Sequence, residues 1–164
     1  DGRSNNQGIG VFQVVGAVLR SDARSNQNRK GWRDGKAGSG EIVMARAGHD
    51  PALVYRAASK NVEEIAPSGL AVGVDVGPIF ERDTQDHSIH LERGDILLLY
   101  TDGITEAENN MGDEFGIHQL KTTFADLATS SADEIMDAVY AKVAAFAVDS
   151  PQTDDMTMVV LEKT

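Results

Sequence analysis

The feature that most constrains this chain is the run Ile96-Leu97-Leu98-Leu99-Tyr100, which leads without a break into Thr101-Asp102-Gly103. Five apolar residues in succession read as a strand buried on both faces, and such a strand belongs in the middle of a sheet. The same run places a carboxylate at the exit of a buried strand, beside a glycine that lets other backbone approach closely.

Around this strand the chain divides by period. Ile9 to Leu19 is apolar and β-rich around Gln13 and Gly16, and predicts one buried strand. Glu41 to Ala47, Ala52 to Arg56 and Val62 to Ile65 are short β-type segments separated by turn residues, Gly48-His49-Asp50-Pro51 among them, a spacing that predicts antiparallel hairpins. Val72 to Val76 and Ile79 to Leu91 continue as strand, the latter alternating with one polar face. The last third is helical. Phe115, Leu120, Phe124 and Leu127 share one helix, and Ser131 with Glu134 forms a capping box ahead of the stripe Ile135, Val139, Val143 and Phe146. Thr157 to Leu161 returns to strand. The expected class is α+β with mostly antiparallel pairing and helices covering sheet faces, in a single domain over 1–164 without repeats or a linker.

Charge narrows the partners. Lys and Arg total 15 against 26 acids, a net charge of −11 that repels nucleic acid and attracts hard cations. The absence of cysteine excludes disulfides, a thiolate zinc site and a cysteine nucleophile. No apolar run approaches the roughly 18 residues of a membrane span, so no membrane insertion is expected and the cytoplasm is the expected compartment. Against this acidity, residues 20–40 carry Arg20, Arg24, Arg29, Lys30, Arg33 and Lys36 with only Asp22 and Asp34. That segment is a solvated hairpin loop or a cationic arm for an acidic partner. The chain opens on Asp1 rather than Met, so further sequence upstream is expected.

An acidic pair stands in Thr153-Asp154-Asp155-Met156-Thr157, at the entry of the final strand. Carboxylates at the ends of neighbouring strands are a means of holding hard divalent ions through oxygen. Each pair taken alone is also an ordinary turn, and spacing does not choose between the two.

Five ordered segments add to this: AGHDPALVYR (47–56), SGLAVGV (68–74), GDILLLYTDGITEAEN (94–109), GDEFG (112–116) and TDDMTMVVL (153–161). In order and spacing they resemble the metal-dependent PPM protein phosphatases, and within them the stage II sporulation protein E and RsbU branch. The resemblance covers about Ile9 to Leu161. It implies an α-β-β-α sandwich and a protein serine/threonine phosphatase that uses two Mn²⁺ or Mg²⁺ ions to hydrolyse a phosphoserine or phosphothreonine protein. On the family pattern Asp102 and Asp154 are metal ligands, Gly103 is their companion and Asp155 stands beside them. His49 has either a polar or acid role near the catalytic end or a structural place in its turn. The resemblance further implies a bacterial regulatory pathway, with a phosphorylated anti-sigma-factor antagonist as substrate and a sensor domain upstream.

One departure accompanies it. The family's first strand-turn motif, whose aspartate bridges both metals, has no counterpart here: Asp1-Gly2 and Asp34-Gly35 follow no apolar strand. The expectation is a domain incomplete at its N-terminus, with weak metal binding and little activity in residues 1–164 alone. A non-catalytic PPM-like module that binds a signalling partner is the alternative. A plain cation-binding domain is a third reading, although residues 102–114 lack the ligand spacing of an EF-hand loop.

Overall fold

The computed structural model describes residues 11–14, 17–21, 40–71, 77–148, 150–152 and 154–164, with backbone alone for the first two stretches. Two compact units emerge, one from Asp1–Gly48 with Ser68–Leu91, the other from His49–Pro67 with Glu92–Thr164. Each is built on one four-stranded sheet in which every pair is antiparallel. The α+β class expected from the sequence is therefore the one observed.

The first unit contains β1 (Val11–Val14), β2 (Ala17–Ser21), β3 (Glu41–Arg46), a short helix α1 (Pro78–Asp83) and β6 (His87–His90), with the sheet order β1-β2-β3-β6. The apolar stretch from Ile9 to Leu19 does not form one strand. β1 and β2 pair with each other, Val14 facing Ala17, so the chain reverses between them. Alternation also misleads over Ile79 to Leu91, where the first half is α1 and only the second half is strand. Pro78 stands in the first turn of α1, a position its fixed φ favours and where its missing N–H costs nothing. Gly48 closes β3 with φ +78, and a Cβ there would lie 2.6 Å from that of Ala71. The basic segment, apart from Arg20, Ser21 and Gly40, and the segment Val72 to Val76 lie outside the described residues.

The second unit contains β4 (Ala52–Arg56), β5 (Asn61–Ile65), β7 (Ile96–Tyr100), α2 (Asp102–Thr105), α3 (Gly116–Asp126), α4 (Ala132–Phe146) and β8 (Met158–Glu162), with the sheet order β5-β4-β7-β8. β4 and β5 form the expected hairpin, whereas β3 and β4 belong to different sheets. All five residues of β7 are buried, and the strand is interior to its sheet, as its composition requires. Ile96, Leu98 and Tyr100 join a core with Leu53, Leu120, Phe124, Ile135, Val139 and Val143, while Leu97 and Leu99, on the other face by the two-residue period, are equally buried. Ile135, Val139 and Val143 of the α4 stripe, which are buried, each contribute about 1.5–3 kcal/mol by leaving water. α3 packs on β4 and β5, and α4 on β8. The capping box is formed: Glu134 N–H donates to the Ser131 hydroxyl at 3.4 Å and Ser131 N–H donates to the Glu134 carboxylate at 2.8 Å. Among the described residues no helix is long and apolar enough to cross a membrane.

Candidate functional site

Antiparallel pairing decides which motifs meet. β7 runs opposite to both β4 and β8, with Leu98 facing Leu53 and Tyr100 facing Met158. The exit of β7 therefore shares one end of the sheet with the entries of β4 and β8. That end collects Thr101-Asp102-Gly103, Asp154-Asp155 and the turn residues His49-Asp50, although these lie far apart in sequence.

Thr101 and Gly103 join the first two segments. Thr101 N–H donates to the Thr157 carbonyl at 3.0 Å, Thr157 N–H donates to the Thr101 hydroxyl at 2.9 Å, and that hydroxyl donates to the Asp155 carbonyl at 2.7 Å. Gly103 is buried against the same loop. A Cβ on it would lie 2.7 Å from the Asp155 carbonyl oxygen and 3.2 Å from the Asp154 carbonyl carbon, so the approach requires glycine. Asp102 occupies the first position of α2, not a plain turn, and accepts from Gly103 N–H at 2.9 Å. Asp154 accepts from Asp155 N–H at 2.7 Å. Asp102, Asp154 and Asp155 are exposed.

The charges at this end repel one another. The exposed carboxyl of Glu106 is raised above its ordinary value, first by the charge of Asp102, then by loss of hydration, Glu114, Asp50 and Asp154. Tyr100, on the buried side, is raised by burial foremost and further by Asp50 and Glu64. His49 is buried, and its Nδ1 accepts from Asp50 N–H at 2.9 Å, which puts the proton of the neutral ring on Nε2. Asp50, Glu106, Glu114 and Thr101 were not among the residues singled out by sequence. Asp50 had a signal, since it shares a turn with His49, while Glu106 and Glu114 acquire their place only through α2 and the bridge between Glu108 and Glu114.

For a divalent cation the donor set fits in kind: carboxylate oxygens, an excess of negative charge and no thiolate. In number it supplies part of a shell. Among the described residues no group of three or more His, Asp or Glu side chains is close enough to hold a metal ion, and an octahedral ion takes roughly six ligands.

Residues 36–164 match the family model described as Stage II sporulation protein E (SpoIIE). The chain belongs to the stage II sporulation protein E family. Phosphoserine phosphatase RsbU of Bacillus subtilis is 27% identical over 123 residues, which cover 75% of this chain and 35% of RsbU. Protein IcfG of Synechocystis is 28% identical over 124 residues, or 75% of this chain and 18% of IcfG. The chain thus spans about a third or less of the curated relatives it matches. Among solved structures, the SiaA-PP2C domain of Pseudomonas aeruginosa superposes with a TM-score of 0.67 at 20% identity, covering 90% of this chain and 51% of that one. The PP2C phosphatase domain of SpoIIE from Bacillus subtilis, solved with a fragment of its regulatory domain, gives a TM-score of 0.59 at 26% identity over 76% of this chain and 34% of that one. The PP2C-type fold expected for this family is thereby shown.

Proposed function

We propose that this SpoIIE-family chain is part of a metal-dependent protein serine/threonine phosphatase in a bacterial regulatory pathway, its two units belonging to one PPM domain. The observation that carries the reading is the union of the Asp102 and Asp154 segments at one sheet end through Thr101 and Gly103, within a self-repelling group of carboxylates. Such repulsion costs stability unless a cation neutralises it. Mn²⁺ or Mg²⁺ at this end would polarise a phosphoryl oxygen and lower the pKa of water. Asp102 and Asp154 would hold the cation, and Asp155 stands beside them. Gly103 serves twice, donating its N–H to Asp102 and leaving room for the Asp155 carbonyl. His49, held by Asp50 N–H, presents Nε2–H as a donor and takes a polar supporting role.

The name of RsbU, a phosphoserine phosphatase, supports phosphoserine as the hydrolysed group, and the reading takes it, or phosphothreonine, on a protein substrate. An anti-sigma-factor antagonist, acted on in the cytoplasm under control of a sensor domain, is the specific form of the proposal. The test is hydrolysis of a phosphoserine protein by the full-length protein with Mn²⁺, with excess chelator, and with Asp102→Asn. Activity confined to the metal-loaded wild type is expected; full activity in chelator overturns the reading.

A further inference from the structure

We propose that Thr101 is a positioning residue that sets the distance between the Asp102 and Asp154 carboxylates, an inference that rests on the metal-dependent reading above. A threonine hydroxyl has one donor hydrogen and two acceptor lone pairs. Here the donor goes to the Asp155 carbonyl at 2.7 Å and an acceptor receives Thr157 N–H at 2.9 Å. One side chain thus grips the loop on both sides of Met156, while its own residue immediately precedes Asp102. The backbone bond from Thr101 N–H to the Thr157 carbonyl, 3.0 Å, extends the strand pairing but does not reach Asp155. What ties Asp155, and Asp154 next to it, to the start of α2 is the hydroxyl and the space left by Gly103.

A second anchor on the same loop provides the contrast. Tyr140, on α4, donates its hydroxyl to the Met156 carbonyl at 3.1 Å. That bond connects the loop to a helix and leaves the Asp102 turn untouched. Both anchors stabilise the loop, but only Thr101 couples the loop to Asp102. Groups that orient metal ligands from behind typically change metal affinity by about 10–100-fold when removed.

The experiment is a Mn²⁺ titration of the full-length protein followed by the electron paramagnetic resonance signal of free Mn²⁺, with thermal melting of each variant in parallel. Thr101→Val keeps the shape and loses the hydroxyl, and should weaken Mn²⁺ binding about tenfold or more. Thr101→Ser restores the hydroxyl and should bind within about twofold of wild type, as should Tyr140→Phe even where its melting temperature falls. Should Thr101→Val not fold, Thr101→Ala removes the same hydroxyl and carries the same expectation. Wild-type binding that is lost in Asp102→Asn yet unchanged in folded Thr101→Val or Thr101→Ala overturns the positioning role alone. Equal weakening in Thr101→Val and Tyr140→Phe does the same. No Mn²⁺ uptake by wild type, or uptake indifferent to Asp102→Asn, overturns the metal-site reading together with it.

Discussion

Strand β7 carries an aspartate at either end, and the two live in opposite surroundings. Asp95 is buried; its carboxylate accepts from Ala57 N–H at 2.9 Å, from Glu92 N–H at 3.1 Å and from the Arg56 guanidinium at 3.0 Å. Burial alone pushes its carboxyl up, and the hydrogen bonds from Ala57, Arg56 and Glu92 with the charge of Arg56 more than reverse this, leaving it below its ordinary value. Asp102 is exposed and stands among like charges strong enough to raise Glu106. A carboxylate whose needs the fold satisfies is a structural part. One exposed near other carboxylates is where the proposed reading puts a cation.

Substitution separates the two roles. On the proposed reading Asp102→Asn should lower phosphatase turnover of the full-length protein by at least about 10²-fold, the scale of losing one electrostatic stabiliser, while its urea unfolding midpoint stays at or above that of wild type because repulsion is relieved. Asp95→Asn should do the reverse. It should cost about 2–3 kcal/mol of stability, below the roughly 3–5 kcal/mol of a fully buried broken pair because Arg56 reaches solvent, and any protein that remains folded should keep the proposed Mn²⁺ requirement. The two effects exchanged would break the comparison.

Acid sharpens it further. The folded Asp95 carboxyl lies below its unfolded value. Its stabilisation is therefore complete above about pH 4 and is lost as pH falls through the folded pKa. Asp95→Asn should lack that part of the acid sensitivity. Glu106 is opposite in sign: its raised carboxyl penalises the folded state above the folded pKa, and the penalty disappears as pH falls below about 4.3. Glu106→Gln should raise the urea midpoint slightly at neutral pH and leave it unchanged below about pH 4. A larger gain in acid than at neutrality would contradict this sign.

A further effect belongs to a helix end that carries neither aspartate. Ser131→Ala removes the α4 cap and should cost about 1 kcal/mol without altering metal dependence. A change in Mn²⁺ requirement there would mean that general destabilisation, not the local geometry of Asp102, governs activity.

The legible parts of the sequence were those in which one local pattern had one outcome. The apolar run of β7, the hairpin β4–β5 and the capped stripe of α4 are of this kind, and all formed. Patterns that admit two outcomes misled: Ile79, Glu81 and Asp83 alternate like a strand, yet Pro78 at the head of α1 makes them helical. The pairing of Asp102 with Asp154 could be suspected from the motifs, whereas the means of pairing could not. A hydroxyl from Thr101 to Asp155 and the crowding at Gly103 exist only once β7 and β8 lie side by side. Asp95 shows the same limit from the other side, since Gly94-Asp95 reads as a turn while its partners Arg56 and Ala57 come from a different hairpin.

The most direct measurement is Mn²⁺-induced broadening of amide signals in the full-length protein at substoichiometric metal. The account predicts that the Gly103 and Asp155 amides fade first, while those of Ala57 and Gly94, at the Asp95 end of the sheet, keep their intensity, and that Asp102→Asn abolishes the pattern. Broadening centred at the Asp95 end, or spread evenly over the acidic surface, would contradict it.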